Sequence, residues 1–110
     1  MATKVNIVID QGTDFATSLA LTNADGLPLD VSTLTADSHI RKSYTSSTFT
    51  AFDATLAPAT GTLLLSMNNS VTSTLTAGRY VYDVELTDAS NIKTRILEGL
   101  VTVTPEVTRL

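Results

Sequence analysis

The chain has 110 residues, with 11 Asp and Glu against 7 Lys and Arg and a formal net charge of −4. That balance argues against the basic face that nucleic-acid binding requires, and the absence of cysteine excludes a disulfide framework or a thiolate metal site. No long apolar run follows Met1-Ala2-Thr3-Lys4, so neither a signal peptide nor a membrane span is expected.

Residues 4–10 alternate Val5, Ile7 and Ile9 against Asn6 and Val8, which predicts a strand. Gln11-Gly12-Thr13-Asp14 breaks it. Residues 15–22 predict a second strand, with Phe15, Leu19 and Leu21 on one face. Asn23-Ala24-Asp25-Gly26 is a turn, because Asp-Gly tolerates positive φ. Residues 27–31 are extended but interrupted by Pro28, which assigns them to an edge or a crossing segment.

Residues 33–43 predict a strand with Leu34, Ala36, Ser38 and Ile40 on one face and Thr35, Asp37, His39 and Arg41 on the other. A polar hairpin loop follows at 44–48. Residues 49–56 predict another strand, with Phe52, Ala54 and Leu56 in step. Residues 57–61 turn the chain, and 62–67 place Leu63, Leu65 and Met67 on one side. After Asn68-Asn69, Ser70 is positioned to cap a single helical turn that crosses between sheets. Residues 79–87 alternate without a break: Tyr80, Tyr82, Val84 and Leu86 against Arg79, Val81, Asp83 and Glu85. Asp88-Ala89-Ser90-Asn91 turns the chain into a last strand over 92–104. There Ile96, Leu100 or Val101, and Val103 point inward and Gly99 marks a bulge.

These strands, with a turn signal every 8–12 residues, predict one all-β domain over 1–110. The expected architecture is an antiparallel, immunoglobulin-like β-sandwich of about seven to eight strands, with short flexible tails at 1–3 and 106–110. The spacing Leu75-x-x-Gly78-x-Tyr80 carries the immunoglobulin-like element. It matches the corner in which a Tyr hydroxyl bonds back to the backbone a few residues upstream. The expected core is Ile7, Leu19, Leu21, Ile40, Leu63, Leu65, Tyr80, Tyr82, Val84, Ile96 and Val103.

No set of residues assembles a catalytic centre. Asp37 and His39 share a strand face and would make half of an acid–base pair, but one His without Cys yields neither a triad nor a zinc site. A solvated strand face accounts for both. Asp10, Asp14, Asp25, Asp30, Asp53 and Asp88 sit at strand ends without the alternation of a calcium loop, and turn chemistry accounts for them. No phosphate loop or nucleophile elbow is present. The chain reads as a non-enzyme with no cofactor and no metal. Asp83 and Glu85 face outward with Arg79. Lys93 or Arg95 on a neighbouring strand would pair with them, or the patch would dock a partner. Tyr44 among Ser and Thr has the composition of a polar loop and also of a paratope. Hydrophobic residues make up 43% and charged residues 16% of the chain, which predicts that partners cover part of its surface.

Three stretches resemble small virion structural proteins of tailed bacteriophages, in particular those of cyanobacterial and other marine phages. They are Ile7-Val8-Ile9-Asp10-Gln11-Gly12-Thr13-Asp14-Phe15, then Ile40-Arg41-Lys42-Ser43-Tyr44, then Ala77-Gly78-Arg79-Tyr80-Val81-Tyr82-Asp83-Val84 with its close Glu98-Gly99-x-Val101-Thr102-Val103-Thr104-Pro105. The ordered set covers nearly the whole chain. It is also similar to the immunoglobulin-like N-terminal domain of phage baseplate upper proteins. The resemblance implies a structural role in tail, baseplate, neck or capsid decoration, with other virion proteins as partners. It also implies copies arranged by particle symmetry, and assembly in the bacterial host cytoplasm. No receptor-binding domain is expected after Pro105, which puts the adsorption role of the longer relatives in doubt here. The alternative is an immunoglobulin-like adhesion module that binds a carbohydrate or receptor. Tyr44, Val107 and Leu110 are the expected partner contacts, because the two tail residues have no core of their own to enter.

Overall fold

The computed structural model describes residues 3–22, 26–27, 29–57 and 60–107. Among them lie nine strands and one helical turn. The strands are β1 (Thr3–Lys4), β2 (Ile7–Asp10), β3 (Phe15–Ala20), β4 (Thr35–Arg41), β5 (Thr50–Ala51), β6 (Asp53–Ala57), β7 (Thr62–Met67), β8 (Gly78–Thr87) and β9 (Lys93–Thr104). The turn α1 (Asn69–Thr72) joins β7 to β8. Period-2 alternation is what turns these segments into half-buried strands. In β2, Ile7 and Ile9 are buried while Val8 and Asp10 are exposed. In β8, Tyr80, Tyr82, Val84 and Leu86 all face in.

The strands form two sheets. The larger has the order β1–β9–β8–β4–β5, with β2 continuing along β9, and the smaller has the order β3–β7–β6. Side chains from both sheets meet in one apolar cluster, in which Ile9, Leu63, Leu65, Val84 and Val101 are completely enclosed. Phe52 lies at the middle, 5.9 Å from the ring of Phe15 and edge-on to Tyr82 at 6.1 Å. Aromatic pairs at such distances add to the burial of their area.

The pairing is not antiparallel throughout: β1 and β2 run parallel to β9, Thr3 opposite Leu97 and Ile7 opposite Val101. The stretch 49–56 is two strands rather than one. The backbone leaves the large sheet after Ala51 and joins the small sheet at Asp53. Phe52, Ala54 and Leu56 keep their common inward parity, so the switch leaves no mark on the side-chain pattern.

In β9, Leu97 is buried and Ile96 only half-buried, against expectation. The ladder with β8 slips there: Val84 pairs with Leu97 and Glu85 with Arg95, which leaves Ile96 as the extra residue of a bulge. Downstream of it Val101 points in and Leu100 out. Gly99 is not the bulge. A Cβ at that position would overlap the Val5 carbonyl, so the glycine lets the first strand approach β9. Leu19 is half-buried rather than enclosed, because β3 is an edge strand.

The cap of α1 is Asn68, not Ser70. The Asn68 side chain accepts the Val71 N–H, and the Ser70 hydroxyl donates to that same oxygen. The folded structure reaches into both expected tails. Thr3 is part of β1, and the Glu106 N–H donates to the Gln11 side chain at 3.0 Å. Met1, Ala2, most of the 23–26 turn, Pro28, Pro58, Ala59 and residues 108–110 lie outside the described residues.

Candidate functional site

The outward face of β9, β8 and β4 carries most of the chain's strand-borne charge. Strand register aligns its side chains in rows. Arg41, Val81 and Leu100 form one row, His39, Asp83 and Glu98 the next, and Asp37, Glu85 and Arg95 the third. Asp83 stands opposite Glu98 and Asp37 opposite Glu85, an arrangement that like charges disfavour. Arg95 relieves it, with its guanidinium 3.1 Å from Asp83 and 3.9 Å from Glu98. This triad is half-exposed and contributes little to stability. It leaves the centre of the face with more carboxylates than cations.

The loop between β4 and β5 rises beside these rows. Arg41 holds it by donating to the Ser46 carbonyl at 2.8 Å, and Ser43 closes it with an N–H to the Ser46 hydroxyl. Phe49, at the end of the loop, lies flat on the face. Its ring stacks on His39 with centroids 3.9 Å apart, and the Arg41 guanidinium sits 4.9 Å from its centroid. His39 is therefore a stacking partner of Phe49. Among the described residues, no hydrogen bond links it to Asp37. A shallow groove of about 250 Å³ runs between the loop and the rows, lined by His39, Arg41, Tyr44, Asp83, Glu85 and Arg95. Tyr44 is 68% exposed, and Phe49, Val8 and Leu100 add further exposed apolar surface.

Behind the face, the corner before β8 is tightly pinned. The Tyr80 hydroxyl donates to the Thr76 carbonyl at 2.7 Å, Leu75 is buried, and Gly78 adopts a φ of +143° that side chains resist. Lys42 places its ammonium 4.4 Å from the centre of the Tyr80 ring. Three further residues hold this corner, of which only Asp14 was expected in a structural role, as a turn residue. The Gln11 amide donates to the Leu75 carbonyl at 2.8 Å and accepts from Glu106. The Thr72 hydroxyl, fully buried, donates to the Thr13 carbonyl, and Asp14 accepts the Asn69 N–H at 2.7 Å. Gln11 had a signal of sorts in its position beside Gly12. Thr72 had none, since its partner Thr13 lies 59 positions away, and Phe49 had none, since only the folded loop brings its ring onto His39 and Arg41.

The remaining acidic residues are turn and ladder acceptors. Asp30 binds the Ser32 hydroxyl and N–H, and these bonds hold its carboxyl below the usual value. Asp88 binds the Ser90 and Ile92 N–H groups, and Asp10 binds the Thr104 hydroxyl. Asp53 is exposed at the start of β6, and Asp25 lies outside the described residues. Val107 is 91% exposed, and Leu110 lies outside the described residues.

No family model matches the chain, and no curated protein matches it in sequence. Among solved structures it is similar to an internalin-like protein of Listeria monocytogenes, with a TM-score of 0.52 and 18% identity over 94% of this chain. It is also similar to the Lin-41 filamin domain, with a TM-score of 0.52 and 17% identity over 88% of this chain and 82% of that one. The fold is an immunoglobulin-like β-sandwich. The chain spans 28% of the internalin-like protein, and at these identities the likeness extends to the fold alone. Within this sandwich the charged, loop-flanked face belongs to the larger sheet, and the pinned corner is the connection that leads into β8.

Proposed function

We propose that the chain is a non-enzymatic structural component of a tailed-bacteriophage virion, acting through protein–protein contacts. The observation that carries this reading is the outer face of the large sheet. Exposed Tyr44, Phe49, Val8 and Leu100 flank a carboxylate-rich centre there. Exposed apolar side chains gathered on one face suit a protein partner, and the partner that fits presents basic side chains to the central Asp83, Glu85 and Glu98. The resemblance of the three ordered stretches to phage virion proteins supplies the particle. Tail, baseplate, neck and capsid decoration are all compatible positions, with assembly in the host cytoplasm and several copies per particle. The C-terminal residues Val107 and Leu110 contribute a second contact beyond the Gln11–Glu106 bond.

A second reading, an adhesion module for a carbohydrate or receptor, draws on the same groove. Tyr44 offers an exposed ring there, beside the Arg41 donors and the carboxylates of Asp83 and Glu85.

The two readings separate on a double variant, Tyr44→Ser with Leu100→Lys. Both side chains are exposed, so the variant folds with an unchanged melt. The virion reading expects it to be missing from purified particles. Normal incorporation would overturn docking through this face. Loss of host-cell or glycan binding with normal incorporation would favour the adhesion reading.

A further inference from the structure

We infer that the chain self-associates through β3, with two copies pairing their β3 edges antiparallel about a two-fold axis centred on Ser18. In the small sheet β3 is bonded on one side only, to β7. The Leu21 N–H donates to the Gly61 carbonyl, one step beyond the Ala20–Thr62 pair. Antiparallel ladders alternate, so the odd residues of β3 bond to β7 and the N–H and C=O groups of Ala16, Ser18 and Ala20 point away from it. Among the described residues, no bond fills these groups. Among the described residues the edge is covered past its end, where the Leu29 N–H reaches the Leu21 carbonyl.

The other three edges are blunted in the ways natural sheets use. The β1–β2 edge is interrupted at Val5-Asn6 and carries Lys4. The β5 edge is two residues long. The β6 edge starts with Asp53 and is followed in sequence by Pro58. β3 has none of these devices: Phe15-Ala16-Thr17-Ser18-Leu19-Ala20 holds no charge, no proline and no bulge. Its outward side chains, Ala16, Ser18 and Ala20, are small enough for another backbone to approach.

Directly beside this edge the sandwich is open. A cleft of about 300 Å³ lies between the sheets, lined by Val5, Leu19, Leu21, Leu29, Ile96 and Leu97. An added strand would roof it.

A second copy of this chain is the occupant that fits. With Ser18 opposite the partner's Ser18 and Ala16 opposite the partner's Ala20, about six main-chain hydrogen bonds form. The same register sets Thr17 opposite the partner's Leu19 on the inward side, so each copy's apolar row extends over the other's cleft. Charge permits the approach. The carboxylates of Asp37, Asp83, Glu85 and Glu98 lie on the outer face of the other sheet, so two copies of a −4 chain meet here along a strand that carries no charge, with Arg95 the one charged residue among those lining the cleft beside it. The pairing does not depend on the virion reading.

Sedimentation equilibrium of the full chain tests it, read with concentration-dependent amide exchange. The wild type is expected to reach twice its 11.7 kDa mass, with the Ala16, Ser18 and Ala20 amides protected as the dimer fills. Ser18→Lys opposes two like charges at the axis and Ser18→Pro removes the central donor. Each is expected to abolish the dimer, and Ser18→Lys alone decides if the proline variant fails to fold. Val8→Lys, on the opposite sheet, leaves the dimer intact. A wild type that stays monomeric at millimolar concentration would overturn the proposal, as would a dimer that survives Ser18→Lys or one that leaves the three amides unprotected.

Discussion

The Tyr82 hydroxyl donates to the carbonyl of Val5, 2.6 Å away and 77 positions earlier in the chain. The same carbonyl lies against Gly99. One backbone oxygen at the break between β1 and β2 thus fixes the parallel first strand to β9 and to the middle of β8. Burial pushes the Tyr82 phenol from its ordinary value of 10 up to about 12. The neutral form is the one that fits the fold, so this contribution is fully present below pH 10. It is lost as pH rises from about 10 through 12, because the unfolded chain releases its proton first. Tyr82→Phe is expected to cost about 0.5–1.5 kcal/mol at neutral pH. It should also flatten the fall in stability between pH 10 and 12, as denaturant titrations at each pH will show.

Gly99→Ala places a methyl group where the Val5 carbonyl now sits. Backbone rather than a flexible side chain must move, so the expected cost is about 1–3 kcal/mol. Hydrogen exchange will locate the damage. The amides that bond β1 and β2 to β9, among them that of Val5 to the Glu98 carbonyl, should lose protection before those of β7.

Tyr80→Phe removes the bond from the hydroxyl to the Thr76 carbonyl. About 0.5–1.5 kcal/mol of stability should go with it. An unchanged denaturation midpoint would show that the corner is held by Gln11 and Thr72 alone.

Much of the fold is legible in the sequence, and the exceptions share a cause. Alternation places β8 and β7 because each residue's facing depends only on its parity. Ile96 is misplaced because one bulge residue reverses parity, and the bulge is set by the partner strand. The break at Phe52 is invisible for the complementary reason: the backbone changes sheets while the side chains keep their parity. The parallel pairing of β2 with β9 joins residues more than ninety positions apart, and no local pattern encodes it. At the candidate site, Asp83, Glu85, Arg95 and Tyr44 were legible as outward polar residues. Phe49 read as part of a strand, and only the folded loop shows its ring on His39 and Arg41.

A stop codon after Glu106 keeps the bond from the Glu106 N–H to Gln11 and removes exposed Val107 with the residues that follow. The shortened chain should melt with the full one, because Val107, the one described residue removed, is exposed. On the virion reading it should be depleted from purified particles. Unchanged incorporation would leave the large-sheet face as the sole attachment.

On the virion reading, this sandwich is a part of the particle. Mass spectrometry of density-purified particles, from cells producing both the phage and this chain, tests it most directly. Peptides of the chain are expected in the particle band, at a fixed ratio to the major structural proteins that persists through repeated purification. Recovery of the chain only from the soluble lysate, with none in the particle band, would contradict it.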